Sequence, residues 1–386
     1  VPRPLAPSPS SPPAEPRLST PAAVPDPGAS GSSQGSSLAT LLGTKTTAFG
    51  PSPVGPGRAY LDLLALLLIA SFQSAAEAVF VLARIAGTPR YQAVTDTIAA
   101  VHLALTVGAL VWLSALVTDR TAGAGTGWKT GLRLGAVALG VAAVAGAVPI
   151  GSLALYPPAG RAAFAMTLVW LTLEVCRRHG ITPARLGILP VWPSASSERT
   201  RAAGVGVLAL IAVMIGGTGA GILTLFMQAA ELPLVPADSQ QTALGIISAA
   251  DAVSSLLRTV VIEDLVMVAA VVALLGAARR PAWEVYAITA VAEVAVHAYL
   301  GMPALAFVPY ALLRVWLYRH HGLIVPLIAA HLLFNTTAIL QWFFTPWQLL
   351  VPLAWLALLI LAANGIYRPV RGWQNRRRTP DTARAR

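Results

Sequence analysis

The sequence predicts an all-α, polytopic transmembrane helix bundle of about ten spans, preceded by a disordered N-terminal segment. Three observations predict it. Of 386 residues, 56% are hydrophobic and only 11% are charged, whereas soluble domains run near a quarter charged. The apolar residues come in long blocks, many approaching the ~20 residues that cross a bilayer core. Within those blocks there is no charged face at a 3.6-residue period, as a soluble amphipathic helix would require.

Taken in order, residues 1–58 are dominated by Pro, Ser, Gly and Ala, as in PSPSSPPAEP and GASGSSQGSS. Such a composition cannot bury a core, so the segment is expected to be disordered. Residues 59–179 hold four N-terminal spans, at 60–84, 97–117, 133–156 and 161–176. The fourth is short and follows Pro157-Pro158. Residues 180–345 form the core region, with spans at 203–229, 256–277, 283–301, 303–319 and 322–343. Gly301-Met302-Pro303 separates the middle pair as a tight helical hairpin. Residues 346–386 supply the last span, 347–366, and a basic tail, RPVRGWQNRRR.

The formal charge of +11 sits mainly at segment ends and in that tail, where Lys and Arg set topology and bind anionic lipid headgroups. One set of loops carries Arg120, Lys129, Arg133, Arg177, Arg178, Arg185, Arg199, Arg201, Arg279, Arg280 and Arg319, while the opposite set carries Arg90 and Arg161. Ten spans then place both termini in the cytoplasm of a multi-pass integral protein, expected in a bacterial plasma membrane. No basic patch interleaved with aromatics is present, so nucleic acid is not an expected partner. The single cysteine, Cys176, excludes an internal disulfide and reads as a small apolar filler.

Ionisable groups at membrane depth point to function. VVIEDLVMVAAVV carries Glu263 and Asp264, VAEVAVHAYLG carries Glu293 and His297, and LIAAHLLFNTT carries His331 and Asn335. The last two pairs are spaced i, i+4, so each shares one helix face. Asp264, adjacent to Glu263, is expected to point about 100° away from it. Glu77, one turn after Gln73, reads as polar glue between helices. His102 reads as a packing residue, His179 as a loop residue, and His320 and His321 as solvated at the inner interface.

A buried carboxylate with a histidine can act on water as a general base. A second histidine and an amide can donate to a developing oxyanion. Glu263, His297, His331 and Asn335 thus carry the parts of peptide hydrolysis by activated water. Glu263, His297 and His331 could instead bind Zn²⁺ with an open position for water. The bland reading is that the His–Asn pair knits helices together through hydrogen bonds.

The order and spacing of these groups resemble the CPBP family of intramembrane CAAX proteases and bacteriocin-processing (Abi-type) enzymes. That family carries Glu-Glu-x-x-x-Arg, then Phe-x-x-x-His, then His-x-x-x-Asn on successive membrane helices. Here they read Glu263-Asp264 through Val268, Glu293 through His297, and His331 through Asn335. The likeness covers residues 180–345. It implies an endopeptidase acting on a membrane-associated peptide, with Glu263 and His297 activating water and His331 and Asn335 stabilising the oxyanion. Asp264 and Glu293 would support them. Both a zinc-dependent and a metal-free mechanism are compatible with it. The sequence departs from the pattern at three positions. Val268 replaces the motif Arg, for which Arg258 and Arg314 are the available substitutes; Asp264 replaces the second Glu; Glu293 replaces the Phe. The alternative reading is a catalytically degenerate membrane protein that binds or scaffolds a peptide. A transporter is disfavoured, because no internal repeat and no matched pair of broken helices is present.

Overall fold

The computed structural model describes residues 49–85, 91–122, 127–148, 157–188, 195–232 and 246–343. Every regular element among them is helical. In chain order these are α1 (Pro56–Ile85), α2 (Tyr91–Arg120), α3 (Gly127–Gly146), α4 (Pro158–Arg178), α5 (Ser196–Ala229), α6 (Ala249–Ala277), α7 (Ala282–Val296), α8 (Phe307–His321) and α9 (Val325–Phe343). Most of residues 1–58 and the expected span 347–366 with its basic tail lie outside the described residues, as do the side chains of Gln73 and Glu77.

The ends follow local chemistry. Pro157 and Pro158 open α4, where a missing N–H is no loss. Ser248 caps α6, its hydroxyl oxygen accepting from the Asp251 N–H at 3.1 Å. Gly322 closes α8 in the left-handed region, at φ 64°.

Among the described residues, six helices are long and apolar enough to cross a membrane, including α4 at 21 residues. The short expected span at 161–176 is therefore a full-length helix. The expected spans 283–301 and 303–319 come out differently. Helices α7 and α8 have 15 residues each, about 22 Å at ~1.5 Å per residue, against a ~30 Å core. Two 3₁₀ turns, Ala298–Leu300 and Met302–Ala306, join them around Gly301 at φ 70°. Glu293 and His297 lie where α7 stops, and Pro303 sits in the first turn of the 3₁₀ segment that leads into α8. The ten-span count thus does not appear as ten full crossings among the described residues.

Helix α6 is the centre of the bundle. Its apolar window is 94% buried, and α1, α4, α7, α8 and α9 all pack against it. A helix apolar on every side belongs in such a position. One hydrophobic core runs from Leu63 in α1 through Leu168 in α4 and Val266 in α6 to Leu327 in α9. Helices α3 and α4 cross closely at Gly146 and Gly160, where a Cβ on Gly146 would come within 2.1 Å of the Gly160 Cα. Small residues permit this approach where lipid offers no hydrophobic drive for association.

Candidate functional site

The carboxylates Glu263 and Asp264 of α6 are buried within the bundle. Residues Val261–Ala270 are wound as a π-helix, with the Val271 N–H donating to the Val266 carbonyl. Such wider windings recur at functional sites. Each residue then advances somewhat less than the 100° of an α-helix. Glu263 and Asp264 both reach the Arg314 guanidinium, but only Glu263 lines the cavity, in keeping with the divergence expected of neighbours.

Arg314 of α8 is 1% exposed and gathers the acidic groups. Its Nη1 lies 3.1 Å from Asp264 Oδ1 and 3.7 Å from Glu263 Oε2. Its Nη2 donates to Glu293 Oε2 of α7, and its guanidinium lies 3.9 Å from the Tyr310 ring centroid. Of the two arginines available to replace the one absent at Val268, Arg314 is therefore the one that meets the acidic pair. Arg258 lies beside Ser74, with Nη2 3.5 Å from the hydroxyl.

Both histidines are oriented. His297 Nδ1 sits 3.0 Å from the Glu293 backbone carbonyl, which can only accept, so Nδ1 donates. The Phe307 ring stacks on His297 with centroids 3.7 Å apart. His331 Nδ1 lies 2.8 Å from Asp264 Oδ2, and toward a carboxylate it again donates. The two Nε2 atoms are thereby left to face Glu263: that of His297 is 4.0 Å from Oε1 and that of His331 is 3.6 Å from Oε2. A carboxylate oxygen of Glu263, one of Glu293 and a ring nitrogen of His297 lie within 4.8 Å of one another, all three residues buried.

A cavity of about 590 Å³ opens onto this cluster, and Glu263, His297, His331 and Asn335 all line it. Its volume falls in the ~300–1,000 Å³ range of ligand sites. Asp264, Glu293 and Arg314 lie behind that lining. The cavity walls include Gln228 and Ile246 beside Trp342. These mark the bundle end where α5 and α9 finish and α6 begins, opposite the end carrying Arg177, Arg178, Arg279, Arg280 and Arg319.

The structure therefore brings all six sequence-predicted site residues to one place, four on the cavity and two behind it. Sequence reasoning missed Tyr310 and Phe307 and gave Arg314 no more weight than Arg258. The available signal for Arg314 was a cation in the middle of the apolar run FVPYALLRVWLY.

Other polar readings also change. His179 is not a plain loop residue: its Nε2 lies 3.0 Å from Asp62 Oδ2 and its Nδ1 2.7 Å from the Ser52 hydroxyl. His321 is buried rather than solvated, its carbonyl accepting from Arg201 Nη2 at 2.8 Å. His102 is buried against Phe164 as a packing residue. Glu174 bridges Arg120 and Arg177 between α2 and α4.

No family model, no curated protein and no solved structure matches the chain.

Proposed function

We propose that the protein is an intramembrane endopeptidase of the CPBP type, hydrolysing a peptide bond of a membrane-associated peptide with activated water. The observation that carries this reading is the convergence of Glu263, His297, His331 and Asn335 on one cavity of ligand size. Glu263 and His297 come from different helices and face each other across 4.0 Å, a gap that a water molecule hydrogen-bonded to both can bridge. Glu263 takes the proton of that water as it attacks the scissile carbonyl, and delivers it to the leaving amine. His331 and Asn335 donate to the oxyanion. Asp264 orients His331 through its Nδ1, 2.8 Å away, and so holds the Nε2 edge toward Glu263 and the cavity.

The absence of an arginine at Val268 does not leave this site without a guanidinium, because Arg314 occupies the space beside the acidic pair. That favours the catalytic reading over the degenerate scaffold. The chain is further proposed to cross a bacterial plasma membrane about ten times with both termini in the cytoplasm. The basic bundle end then faces the cytoplasm and the cavity opens toward the outer half. Extended peptides in the membrane, such as bacteriocin-like or signalling peptides, are the expected substrate class.

The test is cleavage of a membrane-tethered peptide library by the purified protein in detergent, comparing wild type with Glu263→Ala and His331→Ala. Cleavage lost in both folded variants supports the proposal. A cellular phenotype retained by both variants would favour the scaffold.

A further inference from the structure

Fully ionised, Glu263, Asp264 and Glu293 would set three negative charges against the one positive charge of Arg314; a proton held on a carboxylate or a bound cation removes the surplus. All of these groups are at least nine-tenths buried, where an uncompensated charge is strongly unfavourable.

The surplus is localised. Glu293 Oε2 is engaged by Arg314, whereas Glu293 Oε1 and Glu263 Oε2 are buried with no hydrogen-bond partner among the described residues. Glu293 Oε1 lies 3.5 Å from His297 Nδ1, and His297 Nε2 lies 4.0 Å from Glu263 Oε1. One carboxylate oxygen from each glutamate and a ring nitrogen of His297 lie within 4.8 Å of one another, close enough for a single cation to gather them. The tie of Nδ1 to a backbone carbonyl is the kind of outer contact that orients a metal-ligating histidine. Two bonds of about 2.0–2.2 Å reach across a 4.0 Å separation.

We propose that Glu263, Glu293 and His297 form a binding site for one divalent transition-metal cation, such as Zn²⁺. The set differs from the one expected from sequence, since Glu293 stands in it and His331 does not. Glu293 holds the ion and Arg314 together, one oxygen to each. When bound, such a cation supplies Lewis acidity and raises the acidity of a coordinated water. This inference rests on the site of the proposed peptidase but stands or falls separately from its activity.

The experiment uses the full chain, purified in detergent without a polyhistidine tag, stripped with chelator and titrated with Zn²⁺ or Mn²⁺ alone. Bound metal is measured by elemental analysis and by calorimetry. Wild type is expected to bind one equivalent of one of these ions. Glu293→Gln and His297→Ala, each checked for an unchanged elution volume, are expected to bind at least ~10-fold more weakly. His320→Ala combined with His321→Ala keeps the equivalent, which excludes the basic bundle end as its source. Wild type without a stoichiometric ion, or Glu293→Gln binding as tightly as wild type, overturns the proposal. Peptide cleavage by metal-free protein that still takes up one equivalent when titrated would uphold the site and show that hydrolysis does not need the ion. Stoichiometric metal without cleavage would uphold the site and count against the peptidase.

Discussion

Replacing Arg314 by Met removes the guanidinium that, among the described residues, faces the acidic cluster, while keeping an unbranched side chain in the same space. Arg314 is 1% exposed. It lies 3.1 Å from Asp264 and 3.7 Å from Glu263, touches Glu293 and covers the Tyr310 ring. Removing one partner of a buried ion pair typically destabilises by about 3–5 kcal/mol, because the remaining charge stays buried without compensation. Here Glu263 and Glu293 lose the guanidinium and Asp264 keeps only His331, so Arg314→Met is expected at the upper part of that range. The second arm of the test is Glu293→Gln. Once that carboxylate is neutral, losing Arg314 matters less, and the double variant should be more stable than the sum of the single changes predicts by about 1–3 kcal/mol. The assay is reversible unfolding of the purified protein in mixed micelles, followed by tryptophan fluorescence. Arg314→Met within about 1 kcal/mol of wild type would refute the reasoning, as would strictly additive single changes.

Three further outcomes are expected. Asp264→Asn weakens the hold on His331 Nδ1, 2.8 Å away; kcat for peptide cleavage should fall by about 10–100-fold with little change in KM, and a change in KM alone would contradict the positioning role. Gly160→Leu forces a side chain into the α3–α4 crossing, where a Cβ would already come within 2.4 Å of the Gly146 Cα; unfolding should become easier by at least about 1–3 kcal/mol. Gln228→Cys at the cavity end should react with a membrane-impermeant maleimide added outside intact cells, against a silent background because the sole native cysteine, Cys176, is buried. Labelling only after the cells are opened would invert the proposed orientation.

Much of this arrangement was legible in the residues. Apolar blocks place the helices α1 to α6 and α9, and the i, i+4 spacing of His331 and Asn335 puts both on the face that lines the cavity. The short pair α7 and α8 was harder to read, because apolar content continues through Tyr299 to Pro303 while Gly301 and Pro303 break the helix there. The π winding of Val261–Ala270 was not legible, because it is a tertiary outcome with no Gly or Pro to announce it. The partnership of Arg314 with Glu293 was likewise hidden, since it joins α7 to α8 through packing around α6 rather than through sequence spacing. His179 shows the same limit: its partners Ser52 and Asp62 lie more than a hundred residues earlier.

The most direct measurement is the rate of cleavage of a membrane-tethered peptide by Glu263→Gln, made alongside its affinity for that peptide. Gln keeps the shape of the side chain at the cavity floor but cannot accept the proton of an attacking water. The account predicts a loss in kcat of about 10²–10⁴-fold with peptide affinity within a few-fold of wild type. A folded Glu263→Gln protein that cleaves within tenfold of the wild-type rate would contradict it.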